Sequence, residues 1–234
     1  MIVIVPVIPA RGGSKRIPRK NIRDFCGRPI LAYSIDAARE SGLFDRVIVS
    51  TDDEEIASIA RAGGAETPFV RPAQLADDRA GTDAVVRHAL LWLAGQGQPA
   101  EHVCCIYATA PFVRAADLQE GYRQLCAMNR AFAFAITTFE FPVQRALRRR
   151  ADGGVEAFWP EHSEARSQDL EHAWHDAGLF YWGKAQAFID QLQVYAPSSV
   201  GIPVPRHLVQ DIDTEEDWMR AELMFEAMKR RVQG

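Results

Sequence analysis

The chain opens on an unbroken apolar run, residues 2–8, rich in Val and Ile. A run of that kind predicts a strand buried on both faces of a sheet. After a long polar stretch, helical spacing covers 29–40, where Pro29 suits a first turn and Gly42 a stop. Residues 46–50 (RVIVS) form a second short β-rich run, and a helical pattern follows over 53–61. A third helix is expected to run through 93, capped by Thr82 or Asp83, with Val85, Ala89, Trp92 and Leu93 on one face. Strand signals at 103–107 and 132–137 bracket a helical segment at 115–128. Short strands alternating with longer helices predict an α/β fold: a mostly parallel, doubly wound sheet whose ligands lie at the carboxyl ends of its strands.

The alternation fails over 138–174. Short apolar pieces (VQRAL, VEAFW) are separated by Arg148-Arg149-Arg150 and by Asp152-Gly153-Gly154, which reads as a hairpin turn. This segment predicts an excursion from the sheet, either a lid or a dimerisation arm. Regularity returns in a last helix over 213–230, where Asp213 and Glu216 are placed as a capping box. Trp218, Ala221, Phe225 and Met228 form its apolar stripe. No internal repeat is present, and residues 1–234 read as a single domain.

Composition narrows the possible partners. Hydrophobic residues make up 47% and charged residues 25%, enough for a sizeable core. The net charge of −4 gives the whole molecule no electrostatic reason to bind nucleic acid or an anionic membrane. No apolar run approaches the roughly 18 residues that span a bilayer. The opening run contains Pro6 and Pro9 and lacks a basic leader, so it reads as a strand and not a signal peptide. Cys26, Cys104, Cys105 and Cys126 form no CxxC pair and read as reduced thiols, which fits a cytoplasmic protein. His172 and His175 stand three apart, but no thiolate or carboxylate completes a zinc set.

One stretch reverses the charge balance. Between Arg11 and Arg28 there are seven Lys or Arg and a single acid, Asp24. Gly12 and Gly13 let a backbone approach a phosphate, and consecutive N–H groups can form an anion nest. The loop leaves the carboxyl end of the first strand, where an α/β sheet binds its ligands. Neither GxxxxGK[ST] nor GxGxxG occurs, so a Walker A loop and a dinucleotide fingerprint are excluded, and with the latter a dehydrogenase. Near the other end stands Asp211-Ile212-Asp213. On extended chain, residues i and i+2 face one side, so both carboxylates can meet one cation. Mg²⁺ accepts one or two carboxylates plus phosphate oxygens and waters. The plainer alternative is that Asp213 only caps the last helix.

The segment ARGGSKRIPRKN, residues 10–21, resembles the signature loop of the CMP-nonulosonic acid synthetases, which activate sialic acid and its bacterial relatives. The resemblance covers nearly the full length. It implies a three-layer, Rossmann-like nucleotidyltransferase sheet with a small dimerisation excursion, CTP and a nonulosonic acid as substrates, Mg²⁺ as cofactor, and a homodimer. It carries CTP contact onto Arg11, Ser14, Lys15, Lys20 and Asn21, beside the backbone of Gly12 and Gly13, with Lys20 neutralising charge at the α-phosphate. Lys20 and Arg11 are the catalytic candidates, and Asp211 or a metal-bound hydroxyl of the sugar is the candidate base. Val70-Arg71-Pro72 and Gly81-Thr82 resemble the segment that holds the nucleoside, which assigns Arg71 to cytosine and Thr82 to ribose. The family's DID at the start of its last helix assigns the metal to Asp211 and Asp213.

The stretches 105–112 (CIYATAPF), 166–170 (RSQDL) and 175–182 (HDAGLFYW) are similar to the branch that acts on pseudaminic acid. Sialic acid enzymes tend to carry glutamine where Tyr107 stands. Tyr107, Arg166, His175 and Tyr181 are the sugar-side candidates. The alternatives are the same reaction on legionaminic or sialic acid, and a CTP-binding regulatory module without catalysis. The latter would be expected to lose the carboxylate pair.

Overall fold

A computed structural model describes residues 3–77 and 80–233. In chain order its elements begin with β1 (Ile4–Pro9), β2 (Asp24–Phe25), β3 (Arg28–Pro29), α1 (Ile30–Glu40), β4 (Ile48–Ser50), α2 (Glu54–Ala62) and α3 (Thr82–Gly95). There follow β5 (His102–Ile106), α4 (Ala115–Ala127), β6 (Phe132–Thr138), β7 (Leu147–Arg149) and β8 (Val155–Ala157). The last are β9 (Trp174–Lys184), α5 (Ala185–Ile189), β10 (Ser199–Pro203) and α6 (Glu215–Gln233).

Six strands form one sheet in the order β10-β6-β9-β5-β1-β4. β1 pairs parallel with β4 and β5, and β10 parallel with β6, while β9 runs antiparallel between β5 and β6. The mostly parallel sheet expected from the alternation is present. The reversed strand β9 and the edge strand β10 were not legible in it. Along β1 and β5 the pleat sends alternate side chains to opposite faces. Ile8, Cys104 and Ile106 join one buried cluster, with residues of α1, α2, α4 and α6. Val5, Val7, Val103 and Cys105 join the other, with residues of α3 and α5. The result is three layers. Gly121 shows how closely they pack: a Cβ there would stand 2.7 Å from the Trp182 ring and 2.8 Å from Phe180.

The excursion from the sheet is present as well. Between β6 and β9 the chain forms short 3₁₀ turns and the two-stranded hairpin β7–β8. Its loop holds Gly153 at φ 87°, and Asp152 accepts the N–H of Gly154 at 2.9 Å. This arm is rich in exposed aromatic side chains: Phe139, Phe141, Phe158, Trp159 and, at its base, Trp174.

Two capping expectations are corrected. Thr82 is the first residue of α3 and not its cap, which is Gly81, with no side-chain bond. The box on α6 lies one residue further on: Thr214 Oγ1 accepts from Asp217 N at 3.2 Å, and Asp217 Oδ2 accepts from Thr214 N at 2.8 Å. The reciprocal pair satisfies the helix N-terminus and leaves the Asp213 side chain free of that duty. Among the described residues no helix is long and apolar enough to cross a membrane.

Candidate active site

The carboxyl end of β1 delivers the chain into the basic loop, which lines one side of a cleft of about 260 Å³. Arg11, Ser14, Lys15, Lys20 and Asn21 all face this cleft. Asn21 is buried and donates to the Arg11 carbonyl at 2.8 Å, tying the ends of the loop together. Gly12 and Gly13 do not line the cleft. Gly12 packs against the turn after β4: its N–H donates to Asp52 Oδ1 at 3.0 Å, and a Cβ there would come within 2.7 Å of Asp53 Oδ2. A side chain at 12 would therefore have to displace the Asp53 carboxylate, which Arg19 and the N–H of Ile56 hold in place.

The loop's cations are largely held by the protein's own carboxylates. Arg19, at φ 55°, forms a two-pronged bond to Asp53 and also meets Glu55. Arg19 and its hydrogen bonds hold the Asp53 carboxyl below its ordinary range. Arg16 reaches Asp213 at 2.8 Å. Lys20 donates to the carbonyl of Ile212 at 2.5 Å and stands 3.5 Å from Asp213. The loop is thus moored at one end to the turn after β4 and at the other to the segment before α6.

Across the cleft stands Arg71, 4% exposed. A parallel bridge from Thr51 to Val70 and the bond from Arg71 N to Thr51 O at 2.8 Å set its backbone. Its guanidinium donates to the Ser50 hydroxyl and carbonyl. Burial lowers its pKa to about 10, Asp52 opposes that shift, and Arg11 adds to it. Arg71 stays charged at neutral pH, and its repulsion with Arg11 is relieved by any anion between them.

The opposite polarity occurs at Asp211 and Asp213. Asp213 lines the cleft, and Asp211 stands two residues back across the fully buried Ile212. Partial desolvation raises the Asp211 pKa, the like charge of Asp213 raises it further, and Lys20 opposes. Asp213 at the cleft and the exposed Asp211 two residues back are the carboxylates that could hold a Mg²⁺, which needs few protein ligands. Among the described residues no group of three or more His, Cys, Asp or Glu gathers as a denser metal set.

A second cleft, about 450 Å³, adjoins the first, and Thr82 and Tyr107 line both. Ser34 donates to the Tyr107 carbonyl at 2.7 Å, which fixes the strand end that carries this ring. Tyr107 packs on Tyr181 with centroids 5.3 Å apart, and burial raises the pKa of both phenols, which stay protonated. The remaining wall comes from Asp83, Cys105, Phe188 and the turn 191–195, and none of the residues lining this cleft is basic.

The pattern that defines the cytidylyltransferases matches residues 5–188. The chain belongs to the cytidylyltransferase family. It is 47% identical over 219 residues to pseudaminic acid cytidylyltransferase from Campylobacter jejuni, covering 94% of both chains. It is 38% identical to CMP-N,N'-diacetyllegionaminic acid synthase from Legionella pneumophila, covering 95% of this chain and 96% of that one. Among solved structures it resembles CMP:2-keto-3-deoxy-manno-octonic acid synthetase complexed with CTP, with a TM-score of 0.70 at 16% identity over 97% and 99% of the two chains. That likeness establishes a shared fold, the three-layer nucleotidyltransferase sheet.

Of the residues singled out in the sequence, those of the basic loop other than the glycines, with Arg71, Thr82, Tyr107 and Asp213, meet in the first cleft, and Tyr181 lines the second. Arg166, His175 and Asp211 line neither. Arg166 is exposed on the arm, and His175 lies at its base, with its ring 4.8 Å from that of Phe139. Sequence reasoning gave no role to Asp52, Asp53, Asp176 or Tyr195. The first two stand in the strand-ending STDD segment, whose acids beside a basic loop were the available signal.

Proposed function

We propose that this cytidylyltransferase transfers CMP from CTP to the anomeric hydroxyl of pseudaminic acid and releases pyrophosphate. The observation that carries the reading is the pair of adjoining clefts, one basic and one without cations, meeting at Thr82 and Tyr107. A triphosphate suits the first. A neutral, acylated sugar body suits the second, with the sugar's carboxylate turned toward the basic side. In the reaction the anomeric oxygen bonds to the α-phosphorus, the bond from that phosphorus to the bridging oxygen breaks, and pyrophosphate departs. Such a transfer asks the protein mainly for alignment and for charge placed where negative charge develops. In this reading Arg11, Ser14, Lys15 and Asn21 hold the triphosphate, Arg71 and Thr82 the nucleoside, and Tyr107 and Tyr181 the sugar. Lys20 offsets charge on the α-phosphate and the leaving group.

Asp211 and Asp213 would hold Mg²⁺, which when bound supplies positive charge against the triphosphate oxygens. We also read the arm as a homodimer contact, because Phe141 is 75% exposed beside four further exposed aromatics. In a dimer, one subunit's arm would bring Arg166 and His175 toward the partner's sugar cleft. The four free cysteines favour a reducing compartment, which supports placing the enzyme in the cytoplasm.

The test is pyrophosphate release with CTP, offering pseudaminic, legionaminic and N-acetylneuraminic acids separately, each with Mg²⁺ and with EDTA. Release with pseudaminic acid and Mg²⁺ alone is expected. Preference for either other sugar overturns the substrate, release in EDTA overturns the metal, and CTP binding without release from any sugar would make the chain a regulatory module.

A further inference from the structure

The second cleft has a wall that regular strand geometry would not build. In an ordinary strand, residues 176 and 181 face opposite sides of the sheet, about 16 Å apart at ~3.3 Å per residue. β9 is irregular there: its pairing with β6 passes from Phe134↔Tyr181 to Ile136↔Asp176, so a step of two residues on β6 meets a step of five on β9. Gly178 absorbs the bulge at φ 62°, and its N–H donates to Asp176 Oδ1 at 3.0 Å. The bulge folds the Asp176 carboxylate back onto the Tyr181 hydroxyl, which donates to Oδ2. Tyr195, 69% exposed on the turn after α5, donates to the same oxygen at 2.7 Å. Bulges beside active sites commonly re-aim a side chain in this way.

The bonds have one consistent direction. An ionised carboxylate only accepts, and a phenol has a single hydrogen to give. Both hydrogens are committed to Asp176, and around it the Tyr181 hydroxyl also bonds with those of Tyr107 and Tyr195, while Thr82 bonds to Tyr107. Tyr195, exposed and with its one hydrogen given to Asp176, therefore presents an acceptor to the cleft, while Tyr181 is taken up by its neighbours. Phe134 stacks on Tyr181 at 5.9 Å and meets Tyr195 edge-on at 5.5 Å, so the rings hold these orientations.

We propose that Asp176 is a positioning residue that sets the donor–acceptor polarity of the second cleft, selecting the end of a nonulosonic acid that offers N–H and O–H groups on an uncharged, acylated skeleton. An end that carries a negative charge is excluded, because Asp83 lines the cleft, no cation does, and its donors are the neutral amides of Gln191 and Gln193. The inference rests on the reading above that this cleft takes the sugar.

Two variants test it. In Asp176→Asn the amide oxygen keeps the Gly178 bond, while its NH₂ faces both phenols and turns the Tyr195 hydrogen into the cleft. Tyr195→Phe removes one acceptor and leaves the bulge intact. Steady-state kinetics are measured for both with pseudaminic acid and CTP varied in turn. The KM for the sugar is expected to rise about tenfold or more in Asp176→Asn and about threefold to tenfold in Tyr195→Phe, with the KM for CTP changed by less than about twofold. An unaltered sugar KM in both variants, or a parallel rise for CTP, overturns the inference while wild-type activity still stands. A wild type inactive with every nonulosonic acid overturns the function and this inference together.

Discussion

Replacing Lys20 by Met removes one charge and keeps most of the aliphatic stem. The Lys20 ammonium is held by the Ile212 carbonyl at 2.5 Å and lies 3.5 Å from Asp213. Its side chain is 21% exposed, so water screens it only in part. A unit charge about 4 Å from a phosphoryl oxygen is worth ~4 kcal/mol at an effective dielectric constant of 20. Loss of a single preorganised donor to a developing oxyanion costs ~3–4 kcal/mol in comparable sites. Taking about 3 kcal/mol for this partly wetted position gives a fall in kcat of roughly 150-fold. The carbonyl of the fully buried Ile212 loses its donor, a cost of about 1–3 kcal/mol, so Tm should fall by roughly 2–10 °C with the protein still folded at the assay temperature. Arg11, Lys15 and Arg71 still line the cleft, so the KM for CTP should rise far less than kcat falls. Pyrophosphate release and a thermal melt decide the matter together. A folded Lys20→Met enzyme with kcat within about threefold of wild type would refute the electrostatic role.

Three further outcomes are expected. Asp53→Asn keeps the N-cap bond to Ile56 but loses the charge that Arg19 pairs with. The pair is partly exposed and worth about 1 kcal/mol, so Tm near pH 7 should fall by roughly 2–4 °C. Because the Asp53 pKa lies below its ordinary 3.8 in the folded protein, that stability is present above 3.8 and lost as pH falls through the folded value; melts that stay separated in strong acid would contradict it. Gly121→Ala favours the helix by about 1 kcal/mol but drives a methyl into Trp182 and Phe180, an overpacking cost of ~1–3 kcal/mol. Net destabilisation by denaturant melt is expected, and stabilisation would show that the two rings give way. Deleting 140–172 and bridging the gap with a short Gly/Ser linker should yield a monomer by light scattering, whereas a dimer that survives would place the subunit contact elsewhere.

The helices α1 to α4 and α6 and the strands β1, β4, β5 and β6 were legible because their apolar spacing is uninterrupted: Val85, Ala89 and Leu93 are all buried on the inner side of α3. β9 was not, since its first residues, Trp174-His175-Asp176, continue the polar character of the arm and its bulge breaks the period of two. The basic loop was identified by charge, but charge alone could not sort its members. Arg19 and Arg23 are engaged by Asp53 and Glu215, and such partners lie 34 or 192 residues away. Asp176 and Tyr195, 19 residues apart, were hidden as well, because their meeting depends on a bulge and not on any local motif. The cap of α6 was misplaced by one residue because Asp213 and Thr214 are both good N-cap types, and Asp217 chose between them.

The antiparallel strand β9 has a consequence for how the chain is made. It fills the gap between β5 and β6, so the middle of the sheet is completed by residues that leave the ribosome after both neighbours. A nascent chain that has reached residue 138 holds two apolar strands whose facing edges have no partner until 174–184 arrive. Unpaired edges of that kind template association with other chains. Translation of the intervening arm therefore sets the length of time for which the half-built sheet stands open, and a chain released before residue 184 should aggregate, not fold into a smaller domain.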